Sequence, residues 1–135
     1  MLVGTSEPIL DSKGRFTLAA CFRKGLSKKY PDDELVLIAR NNSLYIYPES
    51  VCDDMLDQRL EKNKDPLGKE FDLEENDLFS NMGRAETDSQ DRILVPPLLR
   101  DQSGLQLRSK LRIIGYRTHL RVWDLDYLEN LKKSK

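Results

Sequence analysis

Two five-residue stretches, Asp11-Ser12-Lys13-Gly14-Arg15 and Asp88-Ser89-Gln90-Asp91-Arg92, place an aspartate four residues before an arginine. They lie 77 residues apart. Each runs into an apolar segment that itself ends on arginine, Phe16 to Arg23 in one case and Ile93 to Arg100 in the other. The chemistry these residue types offer is anion recognition. An aspartate opening a tight turn accepts hydrogen bonds from backbone N–H groups a few residues on, and Gly14 supplies positive φ without steric cost. A guanidinium oriented by that carboxylate presents a planar fork that matches a phosphate or a guanine edge bidentately. The structural alternative is an exposed ion pair that helps hold the turn and is worth about 0–1 kcal/mol. One copy fits either reading; recurrence of the same arrangement favours nucleic acid.

Bond-making chemistry has weaker candidates. His119, the single histidine, sits between Thr118 and Leu120 with no second histidine or cysteine pair nearby in sequence, which predicts an exposed turn residue. Cys21 and Cys52 lack the partners and spacing of a zinc site, and both fall in apolar patterns that predict reduced, buried thiols. The aspartates concentrate in acidic helical stretches, where solvation explains them better than acid–base work. Gly25, Gly68 and Gly104 are isolated and form no phosphate-cradling loop. The expectation is a protein that is not an enzyme and uses no metal or cofactor.

The net charge of −1 hides a division. Residues 1–30 carry six Lys/Arg against two Asp/Glu, and residues 84–123 carry eight against four. Residues 49–79 carry four against eleven. Each turn therefore lies in a stretch of net +4, and a stretch of net −7 separates them. Attraction to phosphate depends on the local patch rather than the total. No apolar run approaches the roughly 20 residues of a membrane span, and the N-terminus has no signal-peptide pattern, so a cytoplasmic location is expected.

The elements that must position the turns repeat in order. Residues 2–10 read as a first strand interrupted by Pro8, and Phe16-Thr17-Leu18 as a short strand. A helix from about Ala20 follows, with Phe22 and Leu26 inward. Leu35 to Ala39, apolar throughout, predicts a strand buried on both faces. It turns through Asn41-Asn42 into Leu44 to Tyr47. Glu49 to about Lys62 is a helix. Asp65-Pro66 predicts the start of a second acidic helix to about Asn76, with Leu67 and Phe71 inward. Leu78 to Thr87 reads as a weak strand, Ile93-Leu94-Val95 as the second short strand, and Pro96-Pro97 as a helix start, with Gly104 as its C-cap. Leu111 to Gly115 pairs with Leu120 to Trp123, and Asp124 or Asp126 caps a final helix. At an offset of 76, Leu35, Ile38, Leu44, Ile46 and Tyr47 match Leu111, Ile114, Leu120, Val122 and Trp123. The organisation is a first unit with its helix over 1–62, an acidic linking helix over 63–77, and a second unit with a C-terminal helix over 78–135, within one compact domain. Neither unit closes its own sheet edges; two do so by interleaving into a barrel.

Several of these motifs resemble those of the MraZ proteins: Gly4 followed by Asp11 to Arg15, Leu44-Tyr45-Ile46-Tyr47-Pro48 before a helix, the second Asp-x-x-x-Arg entering Leu94-Val95-Pro96-Pro97-Leu98-Leu99-Arg100, and Leu120 to Asp124 as a closing strand. The resemblance covers nearly the whole chain. It implies a mainly β fold with short helices (α+β), a pseudo-two-fold swapped-hairpin (double-split) β-barrel built from two AbrB-like half-repeats. It further implies a nucleoid-associated bacterial regulator that assembles into a homo-oligomeric ring and binds short direct repeats in double-stranded DNA upstream of the division and cell-wall gene cluster, mostly as a repressor. The DNA contacts carry over to Lys13, Arg15, Gln90 and Arg92, with Asp11, Asp88 and Gly14 orienting the turns.

The chain departs from the family pattern at the second turn. Asp91 stands where glycine is usual, and Gln90 lacks a charge. An aspartate tolerates left-handed φ but brings a negative charge beside Arg92. The first turn is therefore expected to carry most of the contact. Ala19-Ala20 also replaces the usual proline before the first short helix. A different class stays open, an antitoxin-like or scaffold protein-interaction module without DNA binding, for which residues 49–77 supply an acidic partner surface.

Overall fold

The computed structural model describes residues 1–134. The chain runs β1 (Thr5–Ser6), β2 (Arg15–Thr17), α1 (Ala20–Lys29), β3 (Leu35–Arg40), β4 (Ser43–Pro48), α2 (Glu49–Lys62), α3 (Lys69–Ser80), β5 (Met82–Arg84), β6 (Glu86–Thr87), β7 (Arg92–Leu94), α4 (Pro97–Ser103), β8 (Leu111–Gly115), β9 (Leu120–Asp124) and α5 (Leu125–Lys133). It is a mixed α/β fold with two antiparallel sheets, ordered β1-β8-β9-β4-β3-β5 and β2-β7-β6. Among the described residues no helix is long and apolar enough to cross a membrane.

The pairing register sets the positions of the turns. In the small sheet Phe16 lies opposite Ile93, with Arg15 opposite Leu94 and Thr17 opposite Arg92. In the large sheet Tyr45 lies opposite Arg121, with Leu44 opposite Val122 and Ile46 opposite Leu120. The two hairpins that meet there each need left-handed residues at the bend, and Asn41 and Asn42 at φ 55° and 57° supply them in the first. β3 is buried on both faces, as its unbroken apolar run predicts. Leu37 and Ala39 join the main core with Leu44, Ile46, Leu111, Ile113, Phe16 and Ile93. Val36 and Ile38 face the other way, into a second cluster with Cys52 of α2 and Leu78 of α3. The small sheet and the two acidic helices thus lie on opposite faces of the large sheet. Phe22 and Leu26 of α1 and Leu99 of α4 complete the main core.

Five expectations need correction. Residues 2–10 do not form one strand. Only Thr5–Ser6 pairs continuously with β8, with single bridges at Leu2 and Ile9. Gly4 at φ 104° and Pro8, which lacks an N–H, break the ladder. Asp65-Pro66 does not start a helix: a turn closes there through the Gly68 N–H to the Asp65 carbonyl (2.9 Å), and α3 begins at Lys69 with Gly68 as N-cap. Leu67 is consequently 94% exposed rather than inward. Residues 78–87 also divide, because α3 continues to Ser80 and β5 and β6 join different sheets. Cys52 is buried, but Cys21 is exposed, lying on the solvent side of α1 next to the inward Phe22. Gly104 ends α4 in the left-handed conformation at φ 76°, and Asp124 is the cap of α5, accepting from the Tyr127 N–H at 3.2 Å.

Candidate nucleic-acid interface

Both turns are built the same way. In the first, Asp11 Oδ1 accepts from the backbone N–H groups of Lys13 and Arg15, each at 2.9 Å, and Oδ2 accepts from Arg15 Nε at 3.1 Å. In the second, Asp88 Oδ1 accepts from the N–H groups of Gln90 (2.9 Å) and Arg92 (3.0 Å), and Oδ2 from Arg92 Nε at 2.8 Å. The backbone closes each loop: Gly14 N–H donates to the Asp11 carbonyl at 3.0 Å and Asp91 N–H to the Asp88 carbonyl at 3.1 Å. The residue before each arginine is left-handed, Gly14 at φ 81° and Asp91 at φ 60°.

These contacts hold both carboxyls below their ordinary pKa of 3.8. The largest cause is the backbone hydrogen bond from the paired arginine's own N–H, Arg15 for Asp11 and Arg92 for Asp88. Each carboxylate engages Nε alone, so neither terminal nitrogen of either guanidinium is taken up by it. Phe16 and Ile93 point into the core, which puts Arg15, Thr17, Arg92 and Leu94 on the outward face of the ribbon. Arg92 lies opposite Thr17, two residues from Arg15, or about 7 Å along the strand. The sequence motifs, 77 residues apart, are brought together as one two-arginine surface with exposed Lys13 and Gln90 at its ends.

Two further arginines belong to this surface. Arg23 Nη1 lies 3.4 Å from Asp91 Oδ2, and its Nε donates to the Leu18 carbonyl at 3.1 Å. Arg100 packs over Gly14: a Cβ added there would lie 3.4 Å from Arg100 Nε and 3.5 Å from its Cδ. Arg23 and Arg100 each follow their turn arginine by eight residues, a repeat in the sequence that marks the pair.

His119 is not an exposed turn residue. It is half-buried and stacks on Tyr47 with ring centroids 4.3 Å apart, within a row that includes Tyr45 and Tyr116. Burial, and then the Arg121 charge, lower its pKa from 6.5. Among the described residues no group of three or more His, Cys, Asp or Glu could hold a metal ion.

Comparison with known proteins extends the picture. Residues 1–70 match the model of a family described as "MraZ protein, putative antitoxin-like". A protein of Cutibacterium acnes named transcriptional regulator MraZ is 31% identical over 136 residues, covering all of this chain and 89% of its own. A protein of the same name from Kineococcus radiotolerans is 32% identical, covering 99% of this chain and 91% of its own. Another from Neisseria meningitidis is 30% identical, covering 96% and 83%.

Proposed function

The chain belongs to the MraZ family, and on that premise we propose that it is a transcriptional regulator that binds double-stranded DNA through its two Asp-x-x-x-Arg turns. The observation that carries this reading is the fixed pair of guanidinium groups. Arg15 and Arg92 share one outward face, each anchored by Nε to a carboxylate, with the remaining nitrogens unengaged. Anchoring removes rotamer freedom before the ligand arrives, so less is lost on binding. Asp11, Asp88 and Gly14 hold the turns, and Lys13, Arg15, Gln90 and Arg92 make the contact.

In this reading the regions 1–62 and 78–135 are AbrB-like half-repeats that interleave as a swapped-hairpin barrel, with 63–77 linking them. The registers centred on Phe16/Ile93 and Tyr45/Arg121 support that arrangement, since each pairs one half with the other about a matching position. The regulator acts in the cytoplasm at the nucleoid. As a ring of copies, it represses the division and cell-wall cluster by binding short direct repeats upstream of it. Each turn binds weakly alone, and several on spaced repeats gain through effective concentration.

Gel retardation of the duplex upstream of the chain's own gene tests this. Arg15→Ala is expected to abolish retardation at physiological salt with oligomer size unchanged, and Arg92→Ala to have a smaller effect. Retardation equal to the parent's in Arg15→Ala would remove the site assignment. A second reading, an antitoxin-like or scaffold module, is favoured by the exposed Leu60 of α2 and Leu73 and Phe79 of α3 among acidic neighbours. Co-purification of a basic partner by a chain with no salt-dependent DNA affinity would select it.

A further inference from the structure

Gly14 and Asp91 hold matching places in the β2·β7 pairing: the Val95 N–H donates to the Gly14 carbonyl at 2.8 Å and the Leu18 N–H to the Asp91 carbonyl at 2.9 Å. Each therefore faces the helix of the opposite half. Asp91 meets Arg23 of α1 and Gly14 meets Arg100 of α4. The two meetings differ chemically. Arg23 is engaged by a carboxylate and by the Leu18 carbonyl. Arg100 makes no ion pair among the described residues, and its buried Nε has no acceptor. A buried donor without a partner is uncommon, and Arg59 Nε on the acidic face shares it. What sets Arg100 apart is that its charge has no carboxylate partner among the described residues while it lies against the first turn at Gly14.

Charge follows the same division. Lys13, Arg15 and Arg100 surround the first turn against Asp11 alone, a net of +2. Arg92 and Arg23 surround the second against Asp88 and Asp91, a net of zero. The Arg23–Asp91 contact is no significant stabiliser. At 3.4 Å, with side chains 41% and 47% exposed, it belongs to the class of surface pairs worth about 0–1 kcal/mol. Its consequence is for a ligand, because it occupies a cation that its counterpart leaves free.

We propose that Arg100 is a third phosphate-binding cation of the first turn, contributed across the ribbon by α4, and that Asp91 withholds the equivalent Arg23 from the second. The two turns are then unequal by construction, and the molecule meets its duplex with one strong and one weak contact. Gly14 permits this: any side chain there would press on the Val95 carbonyl, 3.2 Å from an added Cβ, and on Arg100. The proposal rests on the DNA-binding reading above and adds residues that reading does not contain.

The test is the salt dependence of binding by the full chain, measured on the duplex upstream of its own gene and on a scrambled duplex of equal length. Each phosphate contact contributes about 0.9 to the slope of log K against log salt. Arg100→Gln is expected to flatten the slope by about that amount per engaged chain, on both duplexes, while Arg23→Gln leaves it near the parent's. Asp91→Gly keeps a residue suited to φ 60° and is expected to steepen the slope and tighten binding. Adding Arg23→Gln to Asp91→Gly should return both to parental values. A parental slope in Arg100→Gln overturns the role of Arg100. A gain in Asp91→Gly that survives loss of Arg23 overturns the role of Asp91, assigning the gain to its charge alone. If Arg15→Ala loses binding while Arg100→Gln and Asp91→Gly behave as the parent, the inference fails and the DNA reading stands. A parent with no salt-dependent binding removes both. Unchanged circular dichroism and oligomer size confirm that each variant is folded.

Discussion

Asp11 and Asp88 each satisfy two backbone donors with one oxygen and an arginine with the other, so one side chain sets both the turn and the direction of its cation. Their lowered pKa values link this to acid stability. A carboxyl whose folded pKa lies below 3.8 stabilises the fold fully above that value, and the contribution is lost as pH falls through the depressed folded value. Denaturant midpoints are therefore expected to drop as pH falls below about 4, and Asp11→Asn with Asp88→Asn together should shrink that drop. An identical acid dependence in the double variant would detach the turns from it. This geometry was legible in the sequence because every contact spans four residues or fewer. The pairs Arg23–Asp91 and Gly14–Arg100 were not legible. They join residues 68 and 86 apart, and only the β2·β7 register puts them in contact.

At the scale of elements, the candidate interface depends on a ribbon three residues long. β2 and β7 meet around Phe16 and Ile93, both buried, and the arginines flank that centre. So short a ribbon is held by the core beneath it more than by its own ladder. Phe16→Ala is expected to lower unfolding free energy by about 3–5 kcal/mol through lost burial and the cavity left behind. Equilibrium denaturation would measure this, and a loss under about 1 kcal/mol would mean the ribbon is not anchored there. Hairpins and apolar strands such as Leu35 to Ala39 could be read directly, since periodicity and Asn-Asn turns are local signals. The acidic linker could not. Asp65-Pro66 has the form of a helix start, but the Asp65 carbonyl closes a turn with Gly68 instead, and Arg59 of α2 pairs with Glu75 to fix α3 beyond it. Cys21 misled for a related reason: adjacency to Phe22 in sequence is a rotation of about 100° on a helix, from core to solvent.

Across the whole molecule, a chain of net charge −1 binds a polyanion only if its opposing patches are kept apart. The layers do this. The turns lie on the small sheet, the main core separates it from the large sheet, and the acidic helices pack on the far face of the large sheet through Cys52 and Leu78. Two layer spacings of about 10 Å put the acidic helices roughly 20 Å from the ribbon, twice the screening length of about 10 Å at 0.1 M salt. Repulsion from α2 and α3 is therefore largely screened at the turns, and under the proposed DNA-binding function the local cations decide the binding. That makes the salt slope a count of contacts. One chain using Lys13, Arg15, Arg92 and Arg100 neutralises about four phosphates, for a slope of about −3.6. A ring engaging several repeats should give a multiple of that value, falling toward the single-chain slope on a duplex cut to one repeat. Equal slopes on the two duplexes would mean that one chain does all the binding, and the ring would then have no part in holding the DNA.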